Sequence, residues 1–441
     1  MKRMALVFAL IASLLTGTVA IAAVKTGATC SKAGLTSVSS GIKFTCIKSG
    51  KKLIWDKGAK VKKPAVAVPE ISKPEPTPTP TSTPVVPKVD LKLDSRISAL
   101  NFYEQVNVCK TSDLTPGGPT GPSSGFPRAN TPKSAKIIVI PISFTDFPYT
   151  ETDATKLKDA LDKTVNFYDK TSYGKFKLTF EFVDQSKWIK FDRTAASYNL
   201  PTNQPQQNNQ VVVEDAFKIV DSSINFDNYD GVLMETSYFQ IYNGGGQAFP
   251  GMKFATKNGT AKGVNFDFGT GVASLNTIPH ELGHSLFDLE DLYQFMNPSK
   301  PANLDPLPAG PWDMMSNSSK EFFGWSKFLM GFLSDSEVLC LKNQTASVQY
   351  LNSMADPQGT KLLAINLKEG VTLLAEVRPD APKRFGLLIY KVDTSNPHGD
   401  GPYIAEKTLL YSGNEKIVDG WKFTVMGEDS TGLLFKAEKV S

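Results

Sequence analysis

A chain of 441 residues with 41% hydrophobic and 21% charged residues is long enough for more than one folded unit and carries the apolar material for a large core. Its net charge of +4 excludes nucleic-acid binding driven by bulk charge, and no run after the N-terminal one is apolar and long enough to span a bilayer. The charge is uneven: residues 24–63 hold ten lysines and one acid, Asp56, while the remainder is close to balanced.

Lys2 and Arg3 open the chain, an apolar run follows, and Ala20-Ile21-Ala22 closes it with the small residues of a cleavage site. Residues 1–22 therefore read as a signal peptide rather than an uncleaved anchor, which makes the mature protein secreted, with no membrane span after cleavage. Four cysteines in an exported chain point to disulfides. In residues 23–58, "IKFTCIKSGKKLIW" reads as a hairpin turning at Ser49-Gly50. A unit this small needs a Cys30–Cys46 bridge to hold together, which leaves Cys109 and Cys340 as a long-range pair. It resembles the short lysine-rich cysteine-pair modules of secreted bacterial proteins, and its lysines suit an anionic cell wall. Residues 59–94 alternate Pro with Thr, Val and Lys and read as an extended spacer.

Residues 95–130, with the loop "TPGGPTGPSSG", read equally as a pro-segment, a linker or the start of a domain. Beyond them the texture is globular. "SAKIIVIPISFTDF" reads as a buried strand, "TDATKLKDALDKTVNFYDKTS" as an amphipathic helix, and "KFKLTFEFVDQSKWIKF" as a sheet ribbon. "VVVEDAFKIVDSSI" follows as a helix and "YDGVLMETSY" as a strand. This order predicts a mixed domain of the α+β class over residues 95–335. After Cys340, "ASVQYL", "KLLAINL", "VTLLAEVR" and "FGLLIYKVD" are regularly spaced strands that predict a β-sandwich-like region over residues 336–441.

Two of the three histidines, His280 and His284, stand four apart in "NTIPHELGHSLFDLEDLY", with Glu281 directly after the first. Residues four apart share a helix face, so both imidazoles can reach one ion while Glu281 is aimed at water held there. The plainer reading is a helix with two surface histidines. Gly283 between them would admit a close approach by another group, and Pro279 suits an early helical turn. A catalytic zinc commonly has three protein ligands and one open position. His398, in "SNPHGDGPY", lies far along the chain, so the third ligand is expected among Asp288, Glu290 and Asp291 of "DLEDLY". Asp288 would still be on the helix, whereas Glu290 and Asp291 lie where a returning chain meets the metal.

"HELGHSLFDLEDLY" followed by "GPWDMMSNSSKEFFGWSKFLMGFL" resembles the immune inhibitor A group of secreted bacterial zinc metallopeptidases, family M6. Their zinc helix runs HExxHxxGxxDxY and a W-D-x-M turn follows, matched here by Trp312, Asp313 and Met315. "FYDKTSYGKFKLTFEF" resembles the stretch ahead of that site, and the likeness covers residues 95–400. It implies a metzincin-like domain with Met315 beneath a Zn2+ ion, protein or peptide substrates, and Glu281 as general base. The family glycine three residues beyond the second histidine is Phe287 here, and the D-L-Y triplet comes one residue late as Asp291-Leu292-Tyr293. Counting from His280 makes Glu290 the third ligand; matching the triplet makes it Asp291. Asp291 is preferred, because an added residue can replace a sharp glycine turn.

The expected site is thus catalytic Glu281 with metal ligands His280, His284 and Asp291. Tyr293 is expected to pack or orient rather than react. The Gly-rich "GTAKGVNFDFGTGVASLN" lacks a phosphate-loop pattern and reads as an active-site rim. Acids such as those of "DNYDGVLMETSY" read as solvated, with a structural Ca2+ site as the alternative. From another functional class, the rival is a catalytically inert, peptidase-like surface-binding or adhesion protein, for which Phe287 is the main support.

Overall fold

The computed structural model describes residues 26–30, 33, 36–39, 42–60, 103–114, 125–126, 131–198, 209–237, 245–267, 274–293, 308–316, 321–381, 384–396, 403–406 and 408–440. Residues 1–22, expected to be a signal peptide, most of the proline spacer, the "TPGGPTGPSSG" loop apart from Gly125, and His398 lie outside them. The chain divides into two compact units, residues 1–85 and 86–441.

In the first unit, β1 (Thr36–Ser39), β2 (Ile42–Ser49), β3 (Lys52–Trp55) and β4 (Ala59–Lys60) form an antiparallel sheet around β2. The β2–β3 hairpin turns at Gly50-Lys51, one residue later than the sequence suggests, because Gly50 takes the positive φ that this two-residue turn needs. Phe44, Cys46 and Trp55 are its buried core, and the Cys30–Cys46 disulfide supplements it.

The second unit is built on a six-stranded sheet. Its strands are β5 (Ser134–Ser143), β6 (Lys177–Phe182), β7 (Ile189–Lys190), β8 (Gly231–Thr236), β9 (Gly246–Phe249) and, after the short β10 (Phe254–Ala255) and β11 (Thr260–Ala261) pair, β12 (Val264–Asp267). The row runs β6-β5-β8-β12-β9, with β7 continuing beside β5. All pairs are parallel except β12–β9, so β9 is an antiparallel strand at one end of the row. The "KFKLTFEFVDQSKWIKF" stretch is therefore not a ribbon: a short turn at Gln185–Lys187 separates β6 from β7, and each pairs with β5.

Alternate residues of β5 and β8 feed two cores, which is why these strands read as continuous apolar runs. Ile137, Val139 and Leu233 face helices α1 (Glu151–Thr171) and α3 (Ser274–Phe287), while Ile138, Ile140, Val232 and Met234 face α2 (Asn209–Ile219). Helix α1 starts at a capping box in which Thr150 Oγ1 accepts the Asp153 amide and Asp153 accepts the Thr150 amide. Its buried Leu157, Leu161, Thr164 and Tyr168 follow helical spacing.

The chain continues through α4 (Gly324–Leu329) into β13 (Val338–Leu341), β14 (Ala346–Asn352), β15 (Leu362–Lys368), β16 (Val371–Ala381), β17 (Arg384–Asp393), β18 (Tyr403–Ala405), β19 (Glu415–Val418), β20 (Trp421–Glu428) and β21 (Gly432–Lys439). They form two sheets, β13-β15-β16-β17-β18 and β14-β21-β20-β19, with one hydrophobic cluster taking side chains from both. The other face of β15–β17, through Leu362, Ala364, Leu374, Leu388 and Tyr390, joins the core under α1 and α3. Residues 103–114 belong to the same unit. The Cys109–Cys340 disulfide, the Glu104 amide on the Cys340 carbonyl (3.0 Å) and Asn366 Nδ2 on the Val108 carbonyl (2.8 Å) hold them to β13 and β15.

Buried charges stitch α4 to the sheets. Glu376 accepts Arg378, the Gly324 amide (2.6 Å) and the Tyr390 hydroxyl (2.9 Å), and Arg378 donates to the Phe322 carbonyl (2.8 Å). Removing one partner of a buried, hydrogen-bonded pair leaves the other charge uncompensated. Arg378→Met is expected to cost about 3–5 kcal/mol in urea unfolding at pH 7, with Arg378→Met/Glu376→Leu recovering part of it.

The acids of residues 227–238 are engaged by the fold: Asp227 accepts the Thr260 amide, Asp230 the Lys136 amide, and Glu235 the Tyr149 hydroxyl at 2.8 Å. Glu235 is fully buried beside Asp267, its register partner on β12, and burial together with that neighbour raises its pKa well above the usual carboxylate range. Such a group supports the fold fully below its unfolded value near 4.5, and this support is lost as pH rises through the folded value. Glu235→Gln is expected to raise Tm at pH 8 and change it little at pH 4; equal shifts at both would refute this.

Candidate metal centre

Helix α3 starts five residues ahead of Pro279, so the proline sits in the second turn rather than at the beginning. Tyr168 Oη of α1 donates to the Pro279 carbonyl at 2.7 Å and anchors that turn just before the histidines. His280 Nδ1 donates to the Met314 carbonyl (2.9 Å) and His284 Nδ1 to the Leu289 carbonyl (2.6 Å). A carbonyl can only accept, so both Nδ1 atoms carry protons and each neutral ring presents a lone pair at Nε2.

Those lone pairs meet a carboxylate. Asp291 Oδ1 lies 2.9 Å from His280 Nε2 and 3.2 Å from His284 Nε2, and the two Nε2 atoms are 3.1 Å apart. Among the described residues these three side chains form the group whose ligand atoms converge. Glu290 is buried and outside it. Three acceptors so close repel unless a proton or a cation lies among them. Without metal, burial alone would lower the His280 pKa, but Asp291 overrides it and holds it at about 9; His284 is raised against burial in the same way. A tetrahedral ion with bonds of about 2.0–2.2 Å sets its ligands about 3.3–3.6 Å apart, close to the observed triangle, and two imidazoles with one carboxylate are a donor set that zinc takes.

The chain reaches this arrangement despite Phe287. The helix continues through Phe287, whose ring packs against Tyr168, Phe176 and Phe332. The left-handed turn falls on Asp288, with φ of 53°, a conformation that aspartate tolerates better than most residues. The extra residue is thus absorbed in the helix, the turn moves by one, and Asp291 arrives at the imidazoles.

Trp312, Asp313 and Met315 form the support below. Asp313 is fully buried and accepts the Met315 amide (2.7 Å), the Phe323 amide (2.6 Å) and Ser326 Oγ (2.7 Å), joining this turn to α4. Burial raises its pKa to about 6 against those bonds. The Leu292 amide donates to the Met315 carbonyl at 2.8 Å, which ties the turn to the chain carrying Asp291. The group that approaches Gly283 is Met315: a Cβ on Gly283 would stand 2.5 Å from its Sδ.

Glu281 faces β9. A Cβ on Gly246 would lie 2.8 Å from Glu281 Cγ, and the Ala248 amide hydrogen-bonds the Glu281 carboxylate. Burial raises its pKa against the pull of the two imidazoles and that amide. Tyr293 stacks on His280 with centroids 6.1 Å apart and hydrogen-bonds Asp291, an orienting position. Gly246, Gln247, Ala248, Glu281, Asp291 and Tyr293 border a cleft of about 210 Å³. Strand β9 borders this cleft, and residues 268–273 of the Gly-rich stretch expected at the rim lie outside the described residues. Val264–Asp267 of the Gly-rich stretch is instead the strand between β8 and β9. Sequence reasoning missed Gly246 and Ala248; the glycine run just before Ala248 was the available signal.

No protein-family model and no curated protein matches the chain. The geometry defines a buried His-Glu-His-Asp cluster of the zinc-metallopeptidase-like kind, inside a mixed α and β unit. Gly283→Ala is expected to destabilise the zinc-free protein by about 1–3 kcal/mol through overpacking on Met315, outweighing alanine's helix advantage of about 1 kcal/mol. Urea unfolding checks this, and Met315→Ala on the same background should recover part of the loss.

Proposed function

We propose that the chain is a secreted zinc-dependent endopeptidase of the immune inhibitor A-like type, acting on proteins or peptides. The observation that carries this is the convergence of two Nε2 lone pairs and the Asp291 carboxylate beside Glu281, in a cleft bordered by β9. In this reading His280, His284 and Asp291 hold the ion and Glu281 is the general base. When bound, zinc supplies Lewis acidity that polarises a peptide carbonyl and makes water nucleophilic at neutral pH. Glu281 takes the proton from the attacking water and passes it to the leaving amine. The Ala248 amide and the close approach of Gly246 hold its carboxylate in place. Strand β9 ends the row of the sheet and offers a substrate backbone an extended partner beside Glu281. The lysine-rich first unit would keep the enzyme at an anionic cell wall, an attraction that salt weakens.

Purified mature protein is expected to bind one zinc and cleave casein. Glu281→Gln should keep the zinc and lose cleavage by about 10²–10⁴-fold. Asp291→Ala should lower zinc affinity by far more than Glu290→Ala. Bound zinc without cleavage in the unaltered protein would favour the inert binding protein, and failure to bind zinc would remove the enzymatic reading altogether.

A further inference from the structure

Six of the ten described Lys and Arg residues of residues 336–440 have an acidic partner. Lys416 pairs with Glu406 (2.8 Å), Lys422 with Glu438 (3.2 Å), Lys391 with Asp419 (3.1 Å) and Arg384 with Asp380 (3.5 Å); Lys436 and Arg378 pair with Glu438 and Glu376. Lys361 is buried and donates to the Ser353 carbonyl at 3.1 Å. Among the described cations of this stretch, Lys342, Lys368 and Lys439 are left without a carboxylate. All three are exposed, and all three line one cleft of about 650 Å³.

The cleft lies at one end of the two sheets, where β13 leads into β14, β15 turns into β16 and β19 turns into β20. Its two acids are already engaged: Asp419 by Lys391, and Asp393 by the Ser395 amide at 3.1 Å. The walls are held by local bonds. Gln344 Oε1 accepts the Lys342 amide at 3.0 Å, the Lys439 amide donates to the Thr345 carbonyl at 2.7 Å, and Asp419-Gly420 is a tight turn with both residues at positive φ. Four lysines (Lys342, Lys368, Lys391, Lys439) against two acids (Asp393, Asp419) leave this concave surface a net charge of +2 (4 − 2), and a low-dielectric wall strengthens its field.

From this we infer that the cleft is a binding site for a phosphate-bearing polyanion. Lysines act as point charges on flexible stems and suit phosphate oxygens without the fixed fork that arginine brings. Of the apolar residues lining it, Val371 and Trp421 are buried and only Leu367 is partly exposed, so an acidic peptide gains little by inserting side chains. A hydrophilic chain with a phosphate on each unit uses what the cleft offers. This site is independent of the metal centre and of the lysine-rich first unit.

The test is binding of inorganic polyphosphate to the full mature chain across a salt series, with the first unit present and constant in every variant. Lys342→Glu/Lys368→Glu/Lys439→Glu is expected to weaken binding at least tenfold at low salt. It should also flatten the slope of log K against log salt by about 2, as for three lost phosphate contacts. The charge-matched control, Lys156→Glu/Lys163→Glu/Lys170→Glu on α1, should change binding by less than threefold. Equal loss in both variants, or no loss in the first, would overturn the site. Polyglutamate binding as tightly as polyphosphate would overturn the ligand class, and orthophosphate competing equally well at matched phosphate would overturn the polymer.

Discussion

The hydrogen bond from His284 Nδ1 to the Leu289 carbonyl is the constraint on which the centre depends. It fixes the tautomer of one imidazole and at the same time pins the chain as it leaves α3. Only six residues lie between His284 and Asp291. Within them the backbone must stop being helical, reverse, and present a carboxylate to the ring it has just left. With Asp288 left-handed and Leu289 held by the ring, that return follows. The second imidazole is fixed by a separate element, through the Met314 carbonyl, so the metal triangle records the relative position of two chain segments.

Asp313 is the joint between that triangle and the rest of the unit. Its three donors come from its own turn, from the start of α4 and from α4 itself, while the neighbouring Met315 fills the space that Gly283 leaves open. Beyond α4, Glu376 and Arg378 carry the connection into β16. The C-terminal sheets are therefore part of the foundation of the site: one hydrophobic cluster runs from Leu282 and Met315 through Trp325 to Leu374 and Tyr390.

What could be read in the sequence follows from how local each feature is. His280, Glu281 and His284 were legible because four-residue spacing is a property of the helix alone. The choice between Glu290 and Asp291 depended on where one extra residue would be absorbed, and that is decided by the aromatic pocket around Phe287, whose members come from distant segments. β9 was not assigned to the rim because its contact with Glu281 exists only through sheet order. The strands after Cys340 were visible from their spacing. Their two-sided burial was not, since a run such as Leu362–Ile365 is apolar at every position and does not say which neighbour covers which face.

The Cys109–Cys340 bridge has a bearing on how the molecule would survive a cut in its backbone. It closes a covalent loop across a sequence separation of 231 residues, and that loop contains the whole metal centre. A single backbone cut anywhere inside it leaves both ends attached to the same body. Damage of that kind is silent to sedimentation or gel mobility under oxidising conditions and becomes visible only on reduction. The loop turns what would be fragmentation into a nick.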